Sequence, residues 1–175
     1  RNNSVNFVVS KKDIDILYKI RNEMGSEANV RTYFRKDKLS SEAHLSFGVK
    51  TIKEDLNKLG IFPDKTKRLK MLDIPELHLK HFIRGIIDGD GCIGIIRKNG
   101  FCWIYVKIAS SSLDFLNQLQ STINKNIGVE DRKIFHSKLN VYYLNYYCTR
   151  AKKLLDWVYN KPEICIDRKY NIVKE

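Results

Sequence analysis

The sequence predicts an α+β fold built from two copies of one unit, and three observations lead to that prediction. The chain repeats itself at an offset of about 99 residues, each copy opens with a β-rich strand and an amphipathic helix, and each continues with two strands and a second helix. A chain of 175 residues is long enough for either one core or two small ones. We therefore predict a first repeat unit over residues 1–72 and a second over 73–175.

The first copy contains three predicted strands and two predicted helices. A strand over 4–10 leads into a helix that Ser10-x-x-Asp13 opens as a capping box, with Asp in the place of the usual Glu or Gln. Strands follow near 29–36 and 42–49, and Thr51-x-x-Glu54 opens the second helix as another capping box.

The second copy repeats this order. Its strands are predicted over 101–109, near 129–135 and near 140–148, and its last helix carries the apolar positions Ala151, Leu155 and Val158. Before the first of these strands, a helix over about 75–88 is expected, with Pro75 at its first position.

Residues 82–91, with the sequence FIRGIIDGDG, are the most informative stretch. Gly85 in the apolar run would let another helix approach closely. Gly89 and Gly91 are expected to stop the helix, as C-terminal glycines do. Asp90 would then stand at a helix end with its carboxylate outside the packed interface. A simple hairpin turn remains open as an alternative for Asp-Gly-Asp-Gly.

A calcium-binding loop is a poor alternative for the same stretch. Counted from Asp88, the fifth and twelfth positions of such a loop are Cys92 and Asn99, where carboxylates are required.

The stretch resembles the motif of the LAGLIDADG homing endonucleases. The matching positions are Ile83, Gly85, Asp88, Asp90 and Gly91, whereas Arg84 replaces a residue that is usually small. The resemblance implies saddle-shaped antiparallel sheets, covered by helices on one face, in two pseudo-symmetric αββαββα-like units. By the repeat offset, the first copy of the motif would precede Arg1, so we expect the chain to begin inside a longer gene product. We expect a monomer if that upstream helix exists, and otherwise a dimer or a second chain that supplies it.

The resemblance also implies an activity. It implies a site-specific endonuclease that hydrolyses phosphodiester bonds in a long, quasi-palindromic double-stranded DNA target. Asp90 and the carbonyl of Gly89 would hold Mg²⁺, whereas Asp88 would be structural. Lys50 and Arg150, each just before the second helix of its unit, are the candidates for a catalytic cation near the phosphate.

Charge and strand alternation predict a DNA-binding surface. Lys and Arg outnumber Asp and Glu by 32 to 20, which gives a net charge of +12 and favours a polyanionic partner. Alternation assigns apolar side chains such as Phe34, Val49 and Val106 to the helix-covered face. The residues predicted to contact DNA from the other face or from strand ends are Arg31, Tyr33, Arg35, His44, Ser46, Arg97, Lys98, Trp103, Tyr105, Lys107, Arg132, Lys133, Tyr143 and Asn145.

Several other classes of function have no support in the sequence. The four cysteines lack zinc-like spacing, and we expect reduced, mostly buried thiols in an intracellular protein of the cytoplasm, nucleoid or organelle matrix. No apolar run is long enough to span a membrane, no signal peptide is visible, and no glycine-rich loop indicates a small-molecule cofactor.

Two alternatives to a nuclease remain open. The first is a DNA- or RNA-binding protein on the same scaffold that does not cut, such as an intron maturase or a transcription regulator. The second is a basic structural or protein-interaction module, which predicts no salt-dependent affinity for DNA.

Overall fold

The computed structural model describes residues 4–35, 39–62, 70–138 and 140–175. The chain divides into two compact units: unit 1 is Arg1–Gly60 with Glu163–Arg168, and unit 2 is Ile61–Pro162 with Lys169–Glu175. This division falls earlier along the chain than the boundary expected between residues 72 and 73.

Unit 1 consists of a small antiparallel sheet and two helices. Its elements are β1 (Val5–Ser10), a 3₁₀ turn (Lys11–Asp13), α1 (Asp15–Glu23), β2 (Arg31–Arg35), β3 (Ser40–Phe47) and α2 (Lys50–Lys58). The strand order is β1-β3-β2, so β3 is central. Ala43, Leu45 and Phe47 alternate along β3 and pack with Leu17 of α1 in the core of this unit.

Unit 2 is larger and carries helices on one face of a four-stranded sheet. Its elements are α3 (Glu76–Asp90), β4 (Gly91–Lys98), β5 (Phe101–Ser110), α4 (Leu113–Ile127), β6 (Phe135–His136), β7 (Tyr142–Tyr147), α5 (Cys148–Val158) and the part of α6 (Asp167–Lys174) from Lys169 onward. The sheet is antiparallel with the order β4-β5-β7-β6. Among the described residues, we find no helix with both the length and the apolar composition that crossing a bilayer requires.

The core of unit 2 lies between this sheet and the helices α3, α4 and α5. Val106, Ile108, Leu144 and Tyr146 point into it from β5 and β7, as alternation predicts. The fully buried helical side chains that meet them include Ile83, Ile87, Leu116, Leu119, Ile123, Leu154 and Leu155.

The two units share one topology. The order β1-β3-β2 in unit 1 matches β5-β7-β6 in unit 2, whereas α3 and β4 have no counterpart among the described residues of unit 1. The repeat is not strict, however. Phe7 lies opposite Leu45, but Val106 lies opposite Tyr146 instead of Leu144. Because this slip is two residues, it moves the pairing without exchanging the two faces of the sheet.

The helix starts differ from those predicted. Ser10 makes no capping hydrogen bond through its side chain, and a 3₁₀ turn separates it from α1. Because α2 begins at Lys50, Thr51 already lies inside the helix and cannot cap it. Pro75 is the residue just before α3, one position earlier than expected.

Three predictions of burial are wrong. Phe34 is 61% exposed, because β2 is an edge strand and α1 packs on β3. Val49 is 46% exposed, since β3 ends at Phe47 and Val49 is the residue before α2. Of the four cysteines, which are all free thiols, only Cys165 is buried.

The end of α3 requires a glycine for a steric reason. Gly91 follows the helix with φ −87° and ψ 161°, which any residue can adopt, so the predicted stop through a glycine-only conformation is wrong. A Cβ atom at Gly91 would instead lie 2.6 Å from the carbonyl oxygen of Ile87. Gly89 lies inside α3, and neither Gly85 nor Gly89 has any described atom within 4 Å of the place of a Cβ.

We expect opposite effects from alanine at two of these glycines. Gly91→Ala should lower the free energy of unfolding by about 1–3 kcal/mol, because the backbone of Ile87 must move to accept the new methyl group. Gly85→Ala, in an open position inside the helix, should raise it by about 0.5–1 kcal/mol. Urea unfolding followed by circular dichroism measures both, and effects of the same sign would contradict this explanation.

Candidate functional site

Asp90 is the last residue of α3, and its side chain is exposed. Among the described residues, its carboxylate forms no hydrogen bond or ion pair. It lines an open cavity of about 420 Å³ together with Lys70, Ser110 and Ser111, against a wall that includes Phe82 and Ile86. The prediction that Asp90 presents a carboxylate at a helix end is therefore confirmed in geometry.

A buried lysine holds the end of α3. Lys169 is 5% exposed, and its Nζ donates to the carbonyl oxygens of Ile87 at 2.7 Å, Asp88 at 2.7 Å and Gly91 at 2.6 Å. The last carbonyls of a helix lack intrahelical partners and carry roughly half a negative charge, so an ammonium group is favourable there. Burying a lone ammonium costs several kcal/mol, which charge-assisted bonds of about 1.5–3 kcal/mol each offset.

Asp88 is structural, as predicted. Its side chain is 8% exposed, and its Oδ1 accepts a hydrogen bond of 2.5 Å from the hydroxyl of Tyr159. Tyr159, at the end of α5, in turn stacks on Tyr170 of α6 with ring centroids 6.0 Å apart. The side chain of Asp88 thus ties α3 to α5, while that of Asp90 points outward.

Arg84 occupies a position where the resemblance leads one to expect a small residue. Its side chain is only 4% exposed, and one guanidinium nitrogen donates to the carbonyl oxygen of Val158 at 2.8 Å. Another lies 2.8 Å from Nδ1 of His81. Because Arg84 packs towards the end of α5, it does not obstruct the exposed side of α3 that carries Gly85.

The two predicted catalytic cations have different surroundings. Lys50 is the first residue of α2 in unit 1 and lies 3.4 Å from Glu54. Arg150 lies in the first turn of α5, donates to the carbonyl oxygen of Glu130 and sits 5.9 Å from the ring of Tyr146. Burial raises the pKa of Tyr146, and Arg150 acts in the opposite direction. A catalytic role for Lys50 or Arg150 stays a prediction.

The open face of unit 1 is the side of its sheet that carries Asn6, Arg31, Tyr33, Arg35, His44 and Ser46. A cavity of about 440 Å³ on this face is lined by Arg31, Tyr33, His44 and Ser46. The rings of Tyr33 and His44 meet edge to face at 4.8 Å. Glu42 lies on the same face and pairs with Arg35 at 3.3 Å, so one of the predicted cations is already partly neutralised.

The open face of unit 2 is the side of its sheet that carries Lys98, Trp103, Tyr105, Lys107, Tyr143, Asn145 and Tyr147. Nζ of Lys107 lies 3.8 Å from the ring centre of Tyr143. The ring of Tyr105 covers Gly94, where a Cβ atom would come within 2.7 Å of it. A hydrogen bond with Cys92 raises the pKa of the Tyr105 phenol. This face is mainly aromatic.

Arg97 does not lie on that face. It pairs with Cys102 in the sheet, on the same side as the core residue Ile93, and its guanidinium lies 3.4 Å from the carboxylate of Glu175. Its neighbour Lys98 is on the open face, whereas Arg132 and Lys133 are exposed in the segment before β6. Arg97 and Lys98 therefore both lie at the end of β4, as predicted, but on opposite sides of the sheet.

Lys169, Tyr159 and Lys70 were not predicted as site residues from the sequence. Lys169 is one of 32 basic residues and lies 81 residues from Asp88, so no local pattern connects the two. The one local signal is that Lys169 lies near the start of α6, shortly after the buried residues Cys165 and Ile166.

The comparisons with known proteins agree with this geometry. A family model described as a LAGLIDADG-like domain matches residues 78–154. Residues 78–154 are a LAGLIDADG-like domain. The domain includes the motif stretch, so the resemblance seen in the sequence is confirmed. No curated protein matches the sequence.

Solved structures of LAGLIDADG proteins share the fold. The meganuclease I-SmaMI bound to uncleavable DNA is 10% identical with a TM-score of 0.58, over 89% of this chain and 73% of that one. The I-LtrWI LAGLIDADG homing endonuclease bound to target DNA is 11% identical with a TM-score of 0.55, over 96% and 75%. The LAGLIDADG meganuclease I-AabMI bound to uncleaved DNA is 15% identical with a TM-score of 0.54, over 97% and 78%. The predicted α+β fold is therefore confirmed.

We expect Tyr159→Phe to destabilise the chain, since it removes the hydroxyl that donates to the buried carboxylate of Asp88. The loss should be about 1.5–3 kcal/mol in the free energy of unfolding, as for other hydrogen bonds to charged groups. Tyr147→Phe is the control, because Tyr147 is 48% exposed, and it should stay within about 0.5 kcal/mol of the unchanged chain. Equal values for the two variants in urea unfolding would show that the bond to Asp88 contributes nothing.

Proposed function

We propose that this protein is a site-specific DNA endonuclease that hydrolyses phosphodiester bonds with a divalent metal ion. The observation that carries the proposal is the exposed carboxylate of Asp90, which has no partner among the described residues, at the end of the motif helix of a LAGLIDADG-like domain. A carboxylate left free at such a helix end has no structural use that we can identify, whereas Asp88 two residues earlier clearly has one.

Double-stranded DNA is the proposed partner. The printed names of the similar solved structures describe proteins bound to DNA. A net charge of +12 supports binding to a polyanion, and the open faces carry the side chains that suit a duplex groove. Arg31 and His44 on unit 1 and Lys107 and Asn145 on unit 2 are offered as contacts to bases or phosphates.

The residues around Asp90 fit a magnesium ion. Mg²⁺ prefers oxygen ligands and usually takes one or two carboxylates, with phosphate oxygens and water completing its shell. The carboxylate of Asp90 and the carbonyl of Gly89 are ligands of this kind. Nζ of Lys169 donates hydrogen bonds to the carbonyls of Ile87, Asp88 and Gly91 but not to that of Gly89. No group of three acidic, His or Cys side chains suited to a metal occurs in the described part of the chain, so the nucleic acid would have to contribute ligands.

The chain's own residues have three tasks in this proposal. Asp90 and Gly89 would hold the ion, which would supply a water molecule of lowered pKa and charge compensation for the phosphate. The open faces orient the DNA, since phosphate contacts fix register and base contacts select the site. Lys70 lines the same cavity as Asp90 and is offered as a contact to a phosphate oxygen.

Asp90→Asn tests the proposal most simply. We expect it to abolish Mg²⁺-dependent cutting of at least one DNA strand, by about a hundredfold or more, because the amide is a much poorer metal ligand. DNA affinity in Ca²⁺ should remain nearly unchanged. The substrate is a duplex obtained by selecting cleaved sequences from a random library with the full-length protein. Asp156→Asn, an exposed change of the same charge in α5, is the control and should cut normally.

Two results would count against the proposal. If Asp90→Asn cuts both strands at the unchanged rate, Asp90 is not a metal ligand in the reaction. If the unaltered protein binds selected duplexes with strong salt dependence but never cuts them in Mg²⁺ or Mn²⁺, it is a DNA-binding protein on a nuclease fold.

Neighbouring cations on opposite sides of one strand test the DNA-binding face. Lys98→Ala should lower the slope of log affinity against log salt by about one, as expected for the loss of one phosphate contact. Arg97→Ala removes the same charge one residue away, on the other side of the sheet, and should leave the slope unchanged. Fluorescence anisotropy at several salt concentrations measures both. Equal slopes for the two variants would mean that the open face of unit 2 is not the surface that contacts DNA.

A further inference from the structure

We infer that Lys169 is a positioning residue for the metal site, acting through the end of α3 without touching the metal or the DNA. This inference rests on the proposed function, and it assigns a role to a residue outside the LAGLIDADG-like domain at 78–154. The observation behind it is the convergence of one buried ammonium group on three carbonyls that flank Gly89 and Asp90.

Lys169 holds the backbone on both sides of the two proposed metal ligands. The two proposed ligands, the Gly89 carbonyl and the Asp90 carboxylate, stand where α3 ends and β4 begins. Helix ends normally fray, because their last carbonyls have no partners within the helix. Lys169 binds the carbonyls of Ile87 and Asp88 on one side of the two ligands and that of Gly91 on the other. The backbone between these points is therefore held at both ends.

Lys169 binds some carbonyls of this helix end and not others. Its Nζ lies 2.6–2.7 Å from the carbonyl oxygens of Ile87, Asp88 and Gly91. The carbonyl of Gly89 is not among the three, and we assign it to the cation. Some groups orient a metal ligand without touching the metal, and their removal typically lowers the affinity for the metal by about ten- to a hundredfold.

The charge of Lys169 acts on the backbone of the helix end. Its side chain is 5% exposed, and a methionine in its place would leave the carbonyls of Ile87, Asp88 and Gly91 without this donor. The side chain of Asp88 also accepts a hydrogen bond from Tyr159, so this segment is held through its backbone and through a side chain. Removing the cation should therefore loosen the backbone that carries Gly89 and Asp90.

The test measures metal binding and backbone mobility directly, in the full chain bound to a selected DNA duplex, with the Mn²⁺ taken up by the duplex alone subtracted. The affinity for Mn²⁺ is followed by electron paramagnetic resonance, and the mobility of residues 87–92 by hydrogen exchange, at a temperature where every variant is folded. Lys169→Met should lower the Mn²⁺ affinity by at least about tenfold and speed amide exchange in this segment. Lys169→Gln, which keeps amide donors near the same carbonyls, should recover part of both losses and serves if the methionine variant does not fold.

Two controls separate the possible outcomes. Lys125→Met removes an exposed lysine from the last turn of α4 and should leave Mn²⁺ affinity unchanged. Asp90→Asn should abolish the Mn²⁺ binding. If the unaltered chain shows no Mn²⁺ binding that depends on Asp90, the metal site of the proposed function falls, and this inference falls with it. If that binding is present and both Lys169 variants retain it in full, the inference alone is overturned and Lys169 is a purely structural cap.

Discussion

The structure of unit 2 depends on the way in which the end of α3 is held. A helix that stops at a surface leaves carbonyls without partners and a partial negative charge. Here the buried ammonium of Lys169 satisfies those carbonyls, and the hydroxyl of Tyr159 fixes the side chain of Asp88. The steric demand at Gly91 then turns the chain at once into β4. Under these constraints the side chain of Asp88 is buried, while that of Asp90, two residues later, is exposed.

The two open faces share a topology but differ in chemistry. Unit 1 presents Arg31 and His44 around a polar cavity and includes the acidic Glu42. Unit 2 presents Trp103, Tyr105 and Tyr143, with few free charges. The difference between them is consistent with a proposed site whose two halves are related but unequal in sequence.

Local pattern explains what could be predicted from the sequence. Period-two alternation along β5 and β7 correctly placed Val106, Ile108 and Leu144 inside, because a side chain's face follows from its position in the strand. The same rule, applied along β4 from Ile93, would have placed Arg97 on the inner side. The two predicted capping boxes are wrong because a 3₁₀ turn separates Ser10 from α1 and because Thr51 lies inside α2. The contacts of Lys169 could not be predicted, because they join segments about 80 residues apart that only the folded core brings together.

The central claim is that the carboxylate of Asp90, held in place from behind, binds a divalent cation next to DNA. The most direct measurement is an anomalous difference map from crystals of the protein with a selected duplex and Mn²⁺. We predict a peak at about 2.0–2.2 Å from a carboxylate oxygen of Asp90, with the carbonyl of Gly89 as a second ligand. A map with the duplex bound but without a peak beside Asp90, or with the peak at another carboxylate, would contradict the account.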